Sequence, residues 1–268
     1  MTSWIRAAPP TPTTKKDSLI FEMDEGGLSS QFVNFLYAYI LSKSEKVPLY
    51  VNDVPNAISS SYPILKNTFV NEPNVKYVDT QVLSSVSTKR RQPQIFTLIN
   101  ALQPDALRAF ASDLFEWDNS HLDKIQPILS AASFPSEFDV GVHINTTRAK
   151  PVPIDQYIQA IKKHQQASKR NGLDVFVMSD SQQRLDELQK KCDPTWKIYS
   201  SNRPQDFNAT SARSRMNAYL HFMAELFLMR NIPHIVCALS SNEGRYIYLT
   251  MKNGSTIASV DQPKFSAF

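Results

Sequence analysis

The sequence predicts an α/β fold of two Rossmann-like domains that face a cleft. Between residues 139 and 252, apolar strand-like runs alternate four times with amphipathic helix-like runs. This alternation is typical of a parallel, doubly wound sheet with helices on both faces. Near the start, a strand-like run over 18–23 leads through a glycine turn into a long amphipathic run. A related α/β unit is therefore expected in the first half.

The composition is that of a globular protein with room for two small domains. The chain has 268 residues, of which 42% are hydrophobic and 20% charged, and its formal net charge is +4. This charge suits a small anionic ligand and is too weak to indicate nucleic acid. We expect a disordered, proline-rich tail over 1–17, a first domain over 18–135 and a second domain over 136–268.

The elements follow from the period of their apolar residues. In the first half we predict strands over 18–23, 47–51 and 75–78, and helices from about 32 to 41 and over 98–117. In the second half the strands are 139–144, 174–178, 196–199 and 234–239, and the helices are 154–168, 181–191, 212–230 and 242–252. Ligands in such folds bind outside the carboxyl ends of the strands, near helix N-termini.

The compartment is inferred from what the chain lacks. No apolar run approaches the roughly 20 residues that span a bilayer, and the first residues lack the apolar core of a secretory signal. Two cysteines, Cys192 and Cys237, are too few for a disulfide framework. We therefore expect a cytoplasmic protein without a transmembrane segment.

The first of four polar strand-to-helix junctions contains Asp24, Glu25, Gly26 and Gly27. Glycines allow the backbone to approach a ligand, and the following helix N-terminus favours negative charge. The alternative is a turn whose acids cap the helix.

The second junction contains His143, Asn145, Thr146 and Arg148, beyond the tip of an apolar strand. So many polar residues at a strand tip favour a binding site, whereas the histidine taken alone would be a packing residue.

The third and fourth junctions combine serines with the start of a helix. Asp180 lies between two serines, and helix capping alone would explain this pattern. The fourth junction offers hydroxyls, an amide, a guanidinium and helix N–H groups, which together suit a diphosphate: Ser240, Ser241, Asn242 and Arg245. An ordinary capped helix is again the alternative.

Taken in order, these segments resemble the fucosyltransferases that include α-1,6 core enzymes, bacterial nodulation-type enzymes and protein O-fucosyltransferases. The run His-Ile-Val-Cys-Ala-Leu-Ser-Ser-Asn-Glu-Gly-Arg-Tyr-Ile-Tyr over 234–248 resembles the family block fLVCtfSSxvgRlaYe. Residues 141–148 resemble GvHvRRTD, 153–157 resemble hPieeYm, and 175–181 resemble vyvatDdp. The turn over 26–31 resembles the opening Gly-x-Gly-x-Gln loop.

The resemblance implies a GT-B-like fold and an inverting transfer of sugar from a nucleotide donor to a hydroxyl of a glycan. By this resemblance Ser240 and Ser241 hold the donor diphosphate, and His143 contacts the nucleotide. Glu225 stands where the family has an acid that reads the base, unless it is an exposed helix charge. Glu25 stands where the protein O-fucosyltransferases have their catalytic base, and Asp24 is the reserve candidate.

One departure from the family concerns the donor phosphates. Asn145 and Thr146 replace an arginine pair, which removes bidentate phosphate contacts. Other arginines could supply positive charge: Arg148, Arg213, Arg215 and Arg245. The donor is therefore open between GDP-fucose and UDP-xylose, and the chain also resembles xylosyltransferases of large algal viruses, which would act in the host cytoplasm.

Two further expectations concern the metal and the activity itself. No Asp-x-Asp motif occurs in the sequence, so we expect neither a catalytic metal nor another cofactor. The alternative to an enzyme is a catalytically silent module of the same fold that binds a nucleotide or a glycan.

Overall fold

The computed structural model of the chain describes residues 5–8, 18–22, 27–53, 63–78, 98–146, 151–201 and 211–265. The chain divides into two compact units, Met1–Leu122 and Asp123–Ser266. Each unit contains one β-sheet with parallel strands and flanking helices. The α/β class and the parallel sheets are therefore confirmed, and each unit is described by itself below.

The N-terminal unit has a four-stranded sheet in the order β1-β2-β3-β4. Its strands are β1 (Ile5–Ala8), β2 (Ser18–Glu22), β3 (Leu49–Asn52) and β4 (Val75–Tyr77). The last three are parallel, and β1 pairs antiparallel with β2. Residues 5–8, within the predicted tail over 1–17, form β1, whose backbone pairs with the outer edge of β2, and the rest of that range lies outside the described residues.

The helices of this part of the chain are α1 (Leu28–Glu45), α2 (Ile64–Thr68), α3 (Pro104–Leu114) and α4 (Asn119–Ala131). The predicted helix over 98–117 is interrupted: residues 98–101 are helical and a new helix begins at Pro104. Proline fits the first turn of a helix and removes a backbone hydrogen bond from a helix interior, which favours a new helix start at Pro104. Within the described ranges, no helix is long and apolar enough to cross a membrane.

The core of the N-terminal unit is aromatic. Helix α1 is buried on nearly all sides, as expected for a helix that is apolar around its circumference. Its Phe32 meets Phe69 edge-on at 5.6 Å between ring centroids, and Phe69 meets Phe115 at 4.9 Å. These edge-to-face contacts link α1 to the segments that follow α2 and α3.

The C-terminal unit has a five-stranded, fully parallel sheet in the order β7-β6-β5-β8-β9. Its strands are β5 (Val140–Ile144), β6 (Leu173–Ser179), β7 (Trp196–Tyr199), β8 (His234–Cys237) and β9 (Thr256–Ser259). The helices are α5 (Ile154–Ser168), α6 (Gln182–Lys191), α7 (Ala212–Asn231) and α8 (Asn242–Thr250). The predicted doubly wound sheet is confirmed, and β9 is an additional strand.

Both faces of the central strand β5 are covered. On one face, Val142 packs in a buried cluster with Tyr157 of α5 and Leu188 of α6. On the other face lies Gly141, where a Cβ atom would come within 2.8 Å of the Met229 sulfur. The absence of a side chain at this position allows α7 to approach the sheet closely.

The C-terminal unit begins earlier than the predicted boundary at 135–136. Phe134 packs edge-on against Phe138 and Phe176, at centroid distances of 5.5 and 5.7 Å. These contacts attach the segment after α4 to the C-terminal sheet, so the division falls after Leu122, inside α4.

A stacked histidine pair lies at the amino end of the C-terminal sheet. The rings of His164 in α5 and His234 in β8 are 3.9 Å apart and 11° from parallel. Burial, and to a smaller extent His164, lowers the pKa of His234 to about 4. Burial also lowers the pKa of His164, opposed by the carboxylate of Asp139 and assisted by Arg170.

This pair predicts that stability falls as the pH drops from about 6.5 to about 4. In that window an unfolded histidine binds a proton, whereas the folded His234 does not, so protonation favours unfolding. Urea unfolding at pH 7.5 and pH 5 should show a larger loss for the wild type than for His234→Gln. Equal losses in the two proteins would contradict the prediction.

Candidate functional site

The C-terminal sheet reverses its strand order at β5. The chain passes from β5 through α5 to β6 on one side and later returns to β8 on the other side. The carboxyl ends of β5 and β8 therefore flank a topological switch point, where open α/β sheets bind ligands. Two of the four predicted junctions, those after β5 and β8, meet here.

The turn after β8 is built by Ser241. Its hydroxyl accepts a hydrogen bond from the Gly244 N–H at 2.9 Å and donates one to the Ala238 carbonyl at 2.9 Å. Because it accepts from the Gly244 N–H, Ser241 is the N-cap of α8, and it is only 5% exposed. The capping alternative is thus correct for Ser241, whose N–H also donates to the Ala238 carbonyl at 3.1 Å.

The neighbouring Ser240 is also engaged within the protein. Its hydroxyl donates to a carboxylate oxygen of Asp261, which follows β9. Asp261 accepts a second hydrogen bond from the Ser259 hydroxyl at 3.0 Å. The turn between β8 and α8 is therefore held by the hydrogen bonds of Ser241 to Ala238 and Gly244 and by that of Ser240 to Asp261.

Helix α8 begins unusually close to this turn. A Cβ atom at Gly244 would lie 2.2 Å from the Ala238 carbonyl oxygen, so only glycine fits. The N–H groups of the first turn of a helix have no partner inside the helix, and the helix dipole is positive there. This end of α8 is therefore suited to an anion.

Side chains after neighbouring strands are joined by hydrogen bonds. The Asn145 amide, just beyond β5, donates to Glu243 in the first turn of α8 at 3.2 Å. The Thr146 hydroxyl donates to Asp180, just beyond β6, at 2.5 Å. The sequence interpretation had placed Asn145, Thr146 and Asp180 in one site, and the structure brings them together at one edge of the sheet.

Arginines accompany two helix N-termini at this edge. Arg245 in α8 donates to the side chain of Asn242 at 3.5 Å. Arg213 and Arg215 lie in the first turns of α7, after the capping residue Ser211. Their positive charges add to the positive end of the α7 dipole, so the N-terminus of α7 favours an anion.

Glu225 is buried in α7, at 1% exposure, so the interpretation as an exposed helix charge is wrong. The Ser201 hydroxyl, just beyond β7, donates to its carboxylate at 2.6 Å. Glu225 lies one turn before Met229, which packs on Gly141. His143 lies two residues beyond Gly141 and is 4% exposed.

The third predicted junction, between β6 and α6, also contains an ordinary helix cap. The Ser181 hydroxyl accepts a hydrogen bond from the Arg184 N–H at 3.4 Å and begins α6. Capping therefore explains Ser181, while Asp180 points to the partner on the neighbouring strand end.

Two cavities of the C-terminal unit are lined by residues other than those of the Ser240–Ser241 turn. One, of about 630 Å³, runs beside β7 and is lined by residues that include Phe134, Tyr199, Ser201 and His221. The other, of about 730 Å³, is lined by residues that include Glu137 and Lys252. The first reaches Ser201, which holds Glu225, and neither is lined by Ser240 or Ser241.

Several predicted residues lie outside the described part of the chain: Asp24, Glu25, Gly26 and Arg148. Gly27 is the N-cap of α1, with a φ of −59° that any residue can adopt. Sequence reasoning overlooked Ser201, Glu243 and Asp261. Glu243 stood inside the quoted serine block, whereas Asp261 follows β9, a short strand that had not been predicted.

Comparisons with known proteins concern the fold. No protein-family model matches the chain, and no curated protein matches its sequence. NodZ α-1,6-fucosyltransferase soaked with GDP-fucose superposes with a TM-score of 0.56 at 13% identity, covering 85% of this chain and 91% of that one. NodZ from Bradyrhizobium in a selenomethionine form gives 0.56 and 13%, with coverages of 89% and 93%.

A plant structure is similar to the same extent. A variant of Arabidopsis thaliana FUT1 in complex with GDP gives a TM-score of 0.56 at 11% identity, covering 91% of this chain and 71% of that one. At such identities the likeness establishes the fold. The fold that the sequence resemblance implies is thereby confirmed, because the chain shares its fold with NodZ α-1,6-fucosyltransferase and Arabidopsis FUT1, whereas the likeness to viral xylosyltransferases is not shown.

Proposed function

We propose that the chain transfers a sugar from a nucleotide-sugar donor to a hydroxyl of a glycan acceptor. The observation that carries the proposal is the meeting of Asn145, the Ser240–Ser241 turn and the α8 N-terminus at the switch point of the C-terminal sheet. This arrangement occurs in a fold shared with fucosyltransferases whose structures contain GDP or GDP-fucose.

The donor diphosphate would bind the backbone at the start of α8. The helix N–H groups stabilise its negative charge, and Arg245 supplies a nearby guanidinium. Arg213 and Arg215 at the start of α7, together with Arg148, would replace the arginine pair that the resembling family has at 145–146. The proposed binding is therefore metal-independent.

The nucleotide base would be read by His143 and Glu225. A carboxylate accepts hydrogen bonds from base N–H groups, and guanine presents two adjacent donors where uracil presents one. This chemistry favours GDP over UDP as the nucleotide. The sugar, fucose or xylose, is not distinguished by these two residues.

The transfer would invert the anomeric carbon in one displacement. The carboxylate of Glu25, or of Asp24, removes the proton of the acceptor hydroxyl while its oxygen attacks the anomeric carbon. The bond from that carbon to the phosphate oxygen breaks, and the nucleoside diphosphate leaves with the electron pair. The helix N-terminus and arginines stabilise the charge that develops on the leaving group.

A nucleotide panel tests the proposal. GDP, UDP, CMP and ADP are added separately and the melting temperature is measured. A ligand that binds only the native state at 100 times its Kd adds about 2.7 kcal/mol of stability. We expect a shift with GDP or UDP, and NMR should then detect inverted product from GDP-fucose or UDP-xylose. The absence of both a shift and a product would contradict the proposal.

A further inference from the structure

We infer that Glu243 determines ligand charge specificity at the donor site, by disfavouring the free nucleoside diphosphate product relative to the nucleotide-sugar. The inference rests on the proposed function, because it requires a diphosphate at the start of α8. It assigns a role to a carboxylate that the transfer step itself does not use.

The position of Glu243 carries the first step. It is in the first turn of α8, immediately after the turn formed by Ser240 and Ser241. Its carboxylate oxygen accepts a hydrogen bond from the Asn145 amide at 3.2 Å, and Asn145 is only 5% exposed. The hydrogen bond therefore holds this negative charge across the switch point, between the end of β5 and the start of α8.

The surroundings of Glu243 carry the second step. Asp261 is fixed beside Ser240, and Asp180 is fixed beside Thr146, so carboxylates follow β6, β8 and β9 along one edge. Arg245 is the cation of the same helix. An anion that enters this edge gains from the helix dipole and is opposed by fixed carboxylates, so its own charge becomes decisive.

The chemistry of the two ligands differs by about one charge. In a nucleotide-sugar both phosphates are esterified and the diphosphate has about two negative charges. After transfer, the terminal phosphate has lost its sugar and gains an ionisable oxygen with a pKa near 6, as for a phosphate monoester. At roughly 6 Å from a carboxylate, and with an effective dielectric constant between about 80 and about 40, the extra charge corresponds to about three- to tenfold weaker binding.

The consequence is faster release of the product. The Glu243 carboxylate repels the free diphosphate more strongly than it repels the donor. The product is therefore released and does not accumulate on the protein. Glu243 would thus limit product inhibition at a modest loss of donor affinity.

Two variants separate charge from hydrogen bonding. Glu243→Gln removes the charge and retains an oxygen that accepts from Asn145, whereas Glu243→Ala removes both. The matched control is Glu137→Gln, which makes the same change in net charge at an exposed position before β5. Each protein is titrated calorimetrically with GDP and GDP-fucose, or with UDP and UDP-xylose if the uridine nucleotide binds.

The measured quantity is the ratio of the Kd for the nucleotide-sugar to the Kd for the free diphosphate. We expect this ratio to be three- to tenfold higher in both Glu243 variants than in the wild type. Glu137→Gln should leave the ratio unchanged. The effect should shrink between 0.1 M and 1 M salt, where the screening length falls from about 10 Å to about 3 Å. If the wild type binds nucleotides and the Glu243 variants have the same affinity ratio as the wild type, the inference is overturned and the proposed function is not. A wild type that binds neither ligand overturns both the inference and the proposed function.

Discussion

Replacing Gly244 with alanine is expected to lower the free energy of unfolding by roughly 3 kcal/mol or more. The added Cβ would lie 2.2 Å from the Ala238 carbonyl oxygen, a backbone atom that cannot rotate aside. That carbonyl also accepts hydrogen bonds from the N–H of Ser241 at 3.1 Å and from its hydroxyl at 2.9 Å. Any movement that relieves the clash therefore breaks the cap of α8.

Urea unfolding measures this effect, and Gly27→Ala is the matched control. A Cβ atom at Gly27 meets nothing within 4 Å, and its φ of −59° suits any residue. The control should cost at most about 1 kcal/mol, the usual difference at a helix N-cap. If Gly244→Ala were as stable as the control, the close approach of α8 to the β8 turn would be contradicted.

The same substitution should weaken nucleotide binding in the fraction that folds. The start of α8 would be displaced from the switch point, and the proposed diphosphate site would move with it. Calorimetric titration with GDP or UDP measures this affinity, and Glu137→Gln, at an exposed position before β5, should leave it unchanged.

Changing Glu25 to glutamine is expected to reduce turnover by about 10²- to 10⁴-fold without changing nucleotide affinity. Glutamine has nearly the same shape as glutamate and cannot take a proton from the acceptor hydroxyl. Glu25 falls between β2, which ends at Glu22, and α1, which begins at Leu28. It therefore belongs to a junction at the carboxyl end of a strand, where catalytic groups occur in α/β folds.

Steady-state turnover and calorimetric Kd values, measured on the same preparation, test this expectation. Asp24→Asn is the companion variant, because Asp24 is the reserve base. Loss of turnover in Asp24→Asn alone would transfer the role to Asp24, and full activity in both variants would place the base elsewhere. A wild type that binds nucleotide and never transfers sugar would favour the catalytically silent module.

Local patterns predicted the C-terminal unit well. Helix α5 and strand β7 have the predicted bounds, because their apolar residues keep the helical and strand periods without interruption. Serine caps mark the starts of α6, α7 and α8. The strands that were not predicted are short, such as β1 in the N-terminal unit and β9 in the C-terminal unit. Their four residues are too few to establish a period, so these strands depend on pairing with a neighbouring strand.

The sequence by itself determined which residue types gather at the strand tips, and hence the fold class and the position of the serine turn after β8. Only the tertiary structure decided how those residues are used. The Ser241 hydroxyl caps α8, and the buried Glu225 accepts a hydrogen bond from Ser201. Asn145 donates a hydrogen bond to Glu243, 98 positions away. Local periodicity reports on neighbours within a few residues, whereas such partners are selected by the order of strands in the sheet.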